Sequence, residues 1–127
     1  MKSTFYKGAM GNLSLHTVTV ALSALAVSAT EVLAEFLPVG TEVTGVRVIS
    51  EALGASTAIK VDLVDKAGAT KAVLPSTATV SAVTSVTPLK PVYIGDEGES
   101  DLVLTNSGTG VATGEVTIQL EYRFKGY

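Results

Sequence analysis

From Gly114 to Phe124 the chain reads Gly-Glu-Val-Thr-Ile-Gln-Leu-Glu-Tyr-Arg-Phe. Val116, Ile118, Leu120, Tyr122 and Phe124 alternate with Glu115, Thr117, Gln119, Glu121 and Arg123. Strand side chains point to opposite faces with period two, so this stretch is a strand with one dry and one wet face. Wound as a helix, the same apolar residues would scatter around the cylinder. A strand of this kind belongs in the middle of a β-sheet core, and the rest of the chain must supply its neighbours.

Those neighbours are legible. His16, Val18, Val20 and Leu22 alternate with Leu15, Thr17, Thr19, Ala21 and Ser23. In 42–50, Val46 and Val48 face inward and Arg47 outward. In 57–64, Ile59, Val61 and Leu63 share one face and Lys60 and Asp62 the other, ahead of a hairpin at Asp65-Lys66-Ala67-Gly68. Thr70–Leu74 is the return strand, with Pro75 as its end. Pro88 and Pro91 mark an edge strand or a linker, and Val92-Tyr93-Ile94 is a short strand. Asp101–Thr105 places Leu102 and Leu104 on one face, and Asn106–Gly110 is a turn. Residues 30–37 are ambiguous: Val32, Leu33, Phe36 and Leu37 recur at helical spacing, so a strand and a short helix both fit. The expectation is all-β: an antiparallel β-sandwich or jelly roll of about eight strands.

Length and composition bound this picture. The 127 residues fit one domain, taken as 13–127 behind an extended arm at 1–12. There is no Cys, which removes disulfides and thiolate metal sites. The net charge of −3 argues against a nucleic-acid binder, which needs a basic face. The run Val18–Ala26 has a signal-peptide flavour, but Thr17, Thr19 and Ser23 break it as a strand does, and Lys2 and Lys7 stand far from it. Its Ser and Thr content also argues against a membrane span.

Two stretches, 8–30 and 72–89, contain no Asp, Glu, Lys or Arg. In 77–82, Ala78, Val80 and Ala82 alternate with Thr77, Thr79 and Ser81. A strand bare of charge suggests contact on both faces, within the fold or against another subunit; the other reading is a soluble hydroxyl-rich surface. The arm has no period, yet carries Phe5 and Tyr6 with Lys2 and Lys7. These four are the candidate partner-binding residues, since such a segment orders when a partner buries its aromatics.

No motif for catalysis appears. His16 is the only histidine and has no nucleophile suggested beside it. Asp96, Glu97, Glu99 and Asp101 cluster around Gly95 and Gly98, but not at EF-hand spacing, and read as a solvated acidic turn. Gly108-Thr109-Gly110 lacks the Lys-Ser/Thr of a phosphate loop. No catalytic residue, cofactor, metal site or small-molecule substrate is expected.

The arm Ser3–Ala9, the segment Leu37–Val48, the strand Val61–Asp65 and the ending Thr113–Tyr122 together resemble small virion proteins of tailed bacteriophages, of the head decoration (cement) type. The resemblance implies a non-enzymatic protein on the outer capsid surface of the virion, made in the host cytoplasm. It implies contacts with the major capsid protein and self-association, often as a homotrimer. No functional residue of that family transfers position by position. The alternative is a carbohydrate- or receptor-binding β-sandwich of a phage fibre or spike. Sugar sites commonly stack on aromatics, and this chain has no Trp, four Tyr and three Phe.

Overall fold

A computed structural model describes residues 13–95 and 97–125. They form eight strands: β1 (Leu13–Leu25), β2 (Thr30–Leu37), β3 (Thr41–Ser50), β4 (Ala58–Asp65), β5 (Thr70–Ala78), β6 (Val83–Tyr93), β7 (Ser100–Asn106) and β8 (Ala112–Phe124). The strands make two four-stranded sheets, β1-β8-β3-β6 and β2-β7-β4-β5, and every neighbouring pair is antiparallel.

The order follows from one nested pairing. β4 and β5 form a hairpin, β3 pairs β6, β2 pairs β7, and β1 pairs β8. This long antiparallel ribbon then curls so that β8 meets β3 and β7 meets β4. A double-sheet fold built this way is a jelly roll.

β8 lies between β1 and β3, as its alternation demands. Val116, Ile118, Leu120 and Tyr122 are buried on one face, flanked by His16, Val18 and Val20 of β1 and by Val46 and Val48 of β3. Leu102 and Leu104 of β7 and Ile59, Val61 and Leu63 of β4 close the core from the other sheet. Burying each such side chain contributes roughly 1.5–3 kcal/mol.

Residues 30–37 are a strand, not a helix. The helical spacing of their apolar residues comes from register shifts between Val32 and Ala34 and between Ala34 and Leu37. At such a bulge two consecutive residues, Leu33 and Ala34, both face the core. Phe36 then takes a φ of 59°, which turns its ring out to solvent.

Pro75 does not end its strand: β5 continues to Ala78. β5 is an edge, where a missing N–H costs no ladder bond, and the β4–β5 register shifts next to the proline. Consequently 77–82 is not one strand. Thr77 and Ala78 finish β5, and Thr79 turns inward to donate its hydroxyl to Thr57 Oγ1 at 2.9 Å. Pro88 and Pro91 do mark an edge, and Val92 and Tyr93 belong to that same strand, β6.

The uncharged 72–89 stretch is not enclosed within the fold. It spans two edge strands, and Val86 is 68% exposed.

Candidate interaction surfaces

The antiparallel wiring sends alternate connections to opposite ends of the sandwich, and the two ends differ in chemistry. At one end lie 26–29, 51–57, 79–82 and 107–111, whose only charged residue is Glu51. That carboxylate turns back and accepts the Glu115 N–H at 2.7 Å. The backbone stitches these loops together. Leu53 donates to the Thr79 carbonyl, Thr79 to Thr57, and Thr109 and Gly110 both to Ser56. Buried Asn106 ties the end of β1 to the 107–111 loop, donating from Nδ2 to the carbonyls of Leu25 and Gly110 and accepting the Gly108 N–H. Val27, Val80 and Val111 stand exposed here. The glycine-rich turn is therefore packing chemistry: a Cβ on Gly110 would sit 2.1 Å from the Ala55 carbonyl oxygen.

The opposite end carries the charges. Glu42 is buried and bridges two cations, accepting Arg123 Nε at 2.7 Å with Lys125 Nζ at 3.4 Å. The Arg123 hydrogen bond holds its carboxyl below the usual range, against the opposing effect of burial. Lys71 reaches from β5 to the β6–β7 turn, donating to the Tyr93 carbonyl at 2.9 Å and pairing with Glu97. That pairing brings Glu97 down to about 2. Lys66 lies 3.9 Å from Glu99, and Asp101 accepts the Phe36 N–H at 3.1 Å.

In the acidic turn Glu97, Glu99 and Asp101 each face a donor or a cation while remaining partly exposed. Asp96 lies outside the described residues. Among those described, no three metal-ligating side chains converge. Asp65 Oδ1 accepts the N–H groups of both Ala67 and Ala69 and shapes the hairpin turn.

His16 sits on the inner face opposite Leu120, and burial lowers its pKa. Its position is that of a core residue.

Lys2, Phe5, Tyr6 and Lys7 lie outside the described residues. The structure fixes only where the described chain starts: Leu13, opposite Arg123, at the charged end and on the border of a sheet. The Glu42–Arg123–Lys125 cluster has no signature in the sequence. Its partners are about eighty residues apart, and only the β3–β8 register brings them together.

The outer face of sheet β1-β8-β3-β6 carries exposed apolar side chains. Leu13, Leu15, Ile49 and Val86 are exposed on it, among threonines. Across its middle, Arg47 lies 3.8 Å from Glu121, which also accepts the Thr44 hydroxyl at 3.0 Å.

The described residues thus form a cysteine-free jelly roll whose two ends differ in charge. Two solved structures that share this fold come from phage capsids. A chain of the capsid of Ralstonia phage GP4 aligns with a TM-score of 0.71 at 12% identity, covering 98% of this chain and 92% of that one. A chain of the cyanophage Pam1 capsid asymmetric unit aligns with a TM-score of 0.58 at 21% identity, covering 96% and 91%. At these identities the likeness is one of fold. No protein-family model matches the sequence, and no curated protein matches it.

Proposed function

We propose that this chain is a non-enzymatic structural protein of a bacteriophage virion that decorates and stabilises the outer capsid surface. One observation carries the reading: two chains of phage capsids match the fold over nearly their whole length, leaving little room in either for an added catalytic domain. Fold alone does not dictate function, so the chemistry of the surface matters too. Sparse charge, a bare loop end and an open sheet face suit a protein whose work is contact with other proteins.

In this reading the protein contacts the major capsid protein and copies of itself. A homotrimer is the number that the sequence resemblance suggests. Residues 1–12 form an arm in front of a single domain, 13–127, and the arm lies along the shell, with Phe5 and Tyr6 buried and Lys2 and Lys7 meeting carboxylates. The protein is made in the host cytoplasm and ends on the virion.

The experiment is purification of intact particles, followed by counting copies of this chain per major capsid subunit. A fixed stoichiometric ratio supports decoration. A low copy number per particle with specific capture on a glycan array would replace this reading with the fibre or spike module, and absence from the particles would overturn both.

A further inference from the structure

Among the described residues, four strands border the two sheets: β1 and β6 in one, β2 and β5 in the other. A border strand presents unpaired N–H and C=O groups, a template on which another strand adds unless charge or proline blocks it. Three borders are blocked. β2 carries Glu31 and Glu35, β5 carries Lys71 and Pro75, and β6 carries Pro88, Lys90 and Pro91. β1 has no charge and no proline over the thirteen residues Leu13–Leu25. Its single titratable side chain, His16, faces the core. Its ladder with β8 runs without interruption from Leu13 to Leu22, so this part of the border is regular.

We infer that β1 pairs antiparallel with β1 of a second copy about a two-fold axis, joining two four-stranded sheets into one of eight. This rests on the self-association in the reading above and adds a two-fold surface to it. In an isologous contact each residue lies near its own symmetry mate. A charged strand would therefore set like charges opposite each other, which destabilises a pair. Of the four borders, β1 is the one compatible with pairing to itself.

An axis normal to the sheet keeps outward residues opposed to outward residues. Thr17, Thr19 and Ala21, near the middle of β1, then face one another across the axis. β2 lies at the same side of the sandwich, and its Glu31 and Glu35 would meet their own copies, so the contact stays one sheet thick. Such a joint gives dimers, or links one trimer to the next across a two-fold.

Because the chain has no Cys, single cysteines report the contact cleanly. Opposed Cα atoms in an antiparallel pair lie roughly 4.5–5.5 Å apart, within disulfide reach. Thr17→Cys, Thr19→Cys and Ala21→Cys are oxidised in the full-length protein beside Thr84→Cys on β6. Covalent dimers are expected from at least one β1 position and not from β6. A second variant, Thr17→Lys with Thr19→Lys, places cations on the exposed face and is expected to weaken association about tenfold in sedimentation.

Association that survives the lysines, with no β1 cross-link, overturns the β1 joint and leaves self-association to another surface. A wild-type monomer at high micromolar concentration overturns both, while binding to particles would still be measured separately.

Discussion

Leu120 and Glu121 are adjacent and opposite. Leu120 is fully buried opposite Val46 and His16, whereas Glu121 lies on the outer face between Thr44 and Arg47. Leu120→Asp forces an unpaired carboxylate into the core, a cost of several kcal/mol against a domain stability of ~5–15 kcal/mol. We expect it to prevent soluble folding, while Glu121→Ala loses about 1 kcal/mol or less. Equal thermal shifts for the two variants would contradict the face assignment.

Protonation acts at the same scale. Burial lowers the His16 pKa from 6.5, so the unfolded chain takes up the proton first as pH falls. Stability from the neutral imidazole is therefore fully present above 6.5 and is lost as pH drops below it. Glu42 and Glu97 are depressed from 4.5, Glu97 to about 2, so their contribution holds above 4.5 and is lost from there downward. The melting temperature should fall in two steps on acidification. His16→Gln should remove the first, and Lys71→Ala should shrink the second. A flat profile between pH 7 and 5 in the wild type would refute the His16 assignment.

At the scale of elements, sequence reading succeeds where one face of a strand is wet. β8, β1 and β3 alternate cleanly because solvent and core impose opposite demands on neighbouring residues. It stays undecided at β2, because bulges put Leu33 and Ala34 side by side in the core and leave a helical spacing behind. It fails at β5 because a proline at a sheet border breaks no ladder bond, so Pro75 is not a stop. The ion pairs of the charged end are invisible for another reason. Lys71 and Glu97, or Glu42 and Arg123, meet only through strand register, which sequence spacing does not contain.

The loop end yields a ranking. Gly110 packs its α-carbon against the Ala55 carbonyl, while Gly68 has a φ of 88° and open space where a methyl would stand, with nothing within 4 Å. Gly68→Ala should cost only the ~1–2 kcal/mol of a left-handed alanine. Gly110→Ala must displace backbone and should cost more. Thermal melts of the two variants check the order, and a milder effect at Gly110 would mean the loops are not locked together.

For the whole molecule, the question is whether residues 1–12 belong to the domain or to its contacts. The described residues, 13–95 and 97–125, pair eight strands and close a core among themselves. Deleting residues 2–8 should therefore leave a soluble protein with a cooperative melt and reduced binding to capsids. A sharp fall in melting temperature, or loss of the oligomer, would place the arm in the fold or the subunit joint instead.

The nested pairing also sets a timetable. β8 is made last, yet it occupies the middle of its sheet, between the strand made first and the strand made third. At roughly 5–20 residues per second, a ribosome holds β1 and β3 waiting for seconds before their common neighbour exists. Neither can complete its sheet earlier, and contacts this distant in sequence form slowly. A prematurely ended chain thus lacks its central strand rather than a dispensable tail. Closure of this sheet therefore waits on the strand made last of its four.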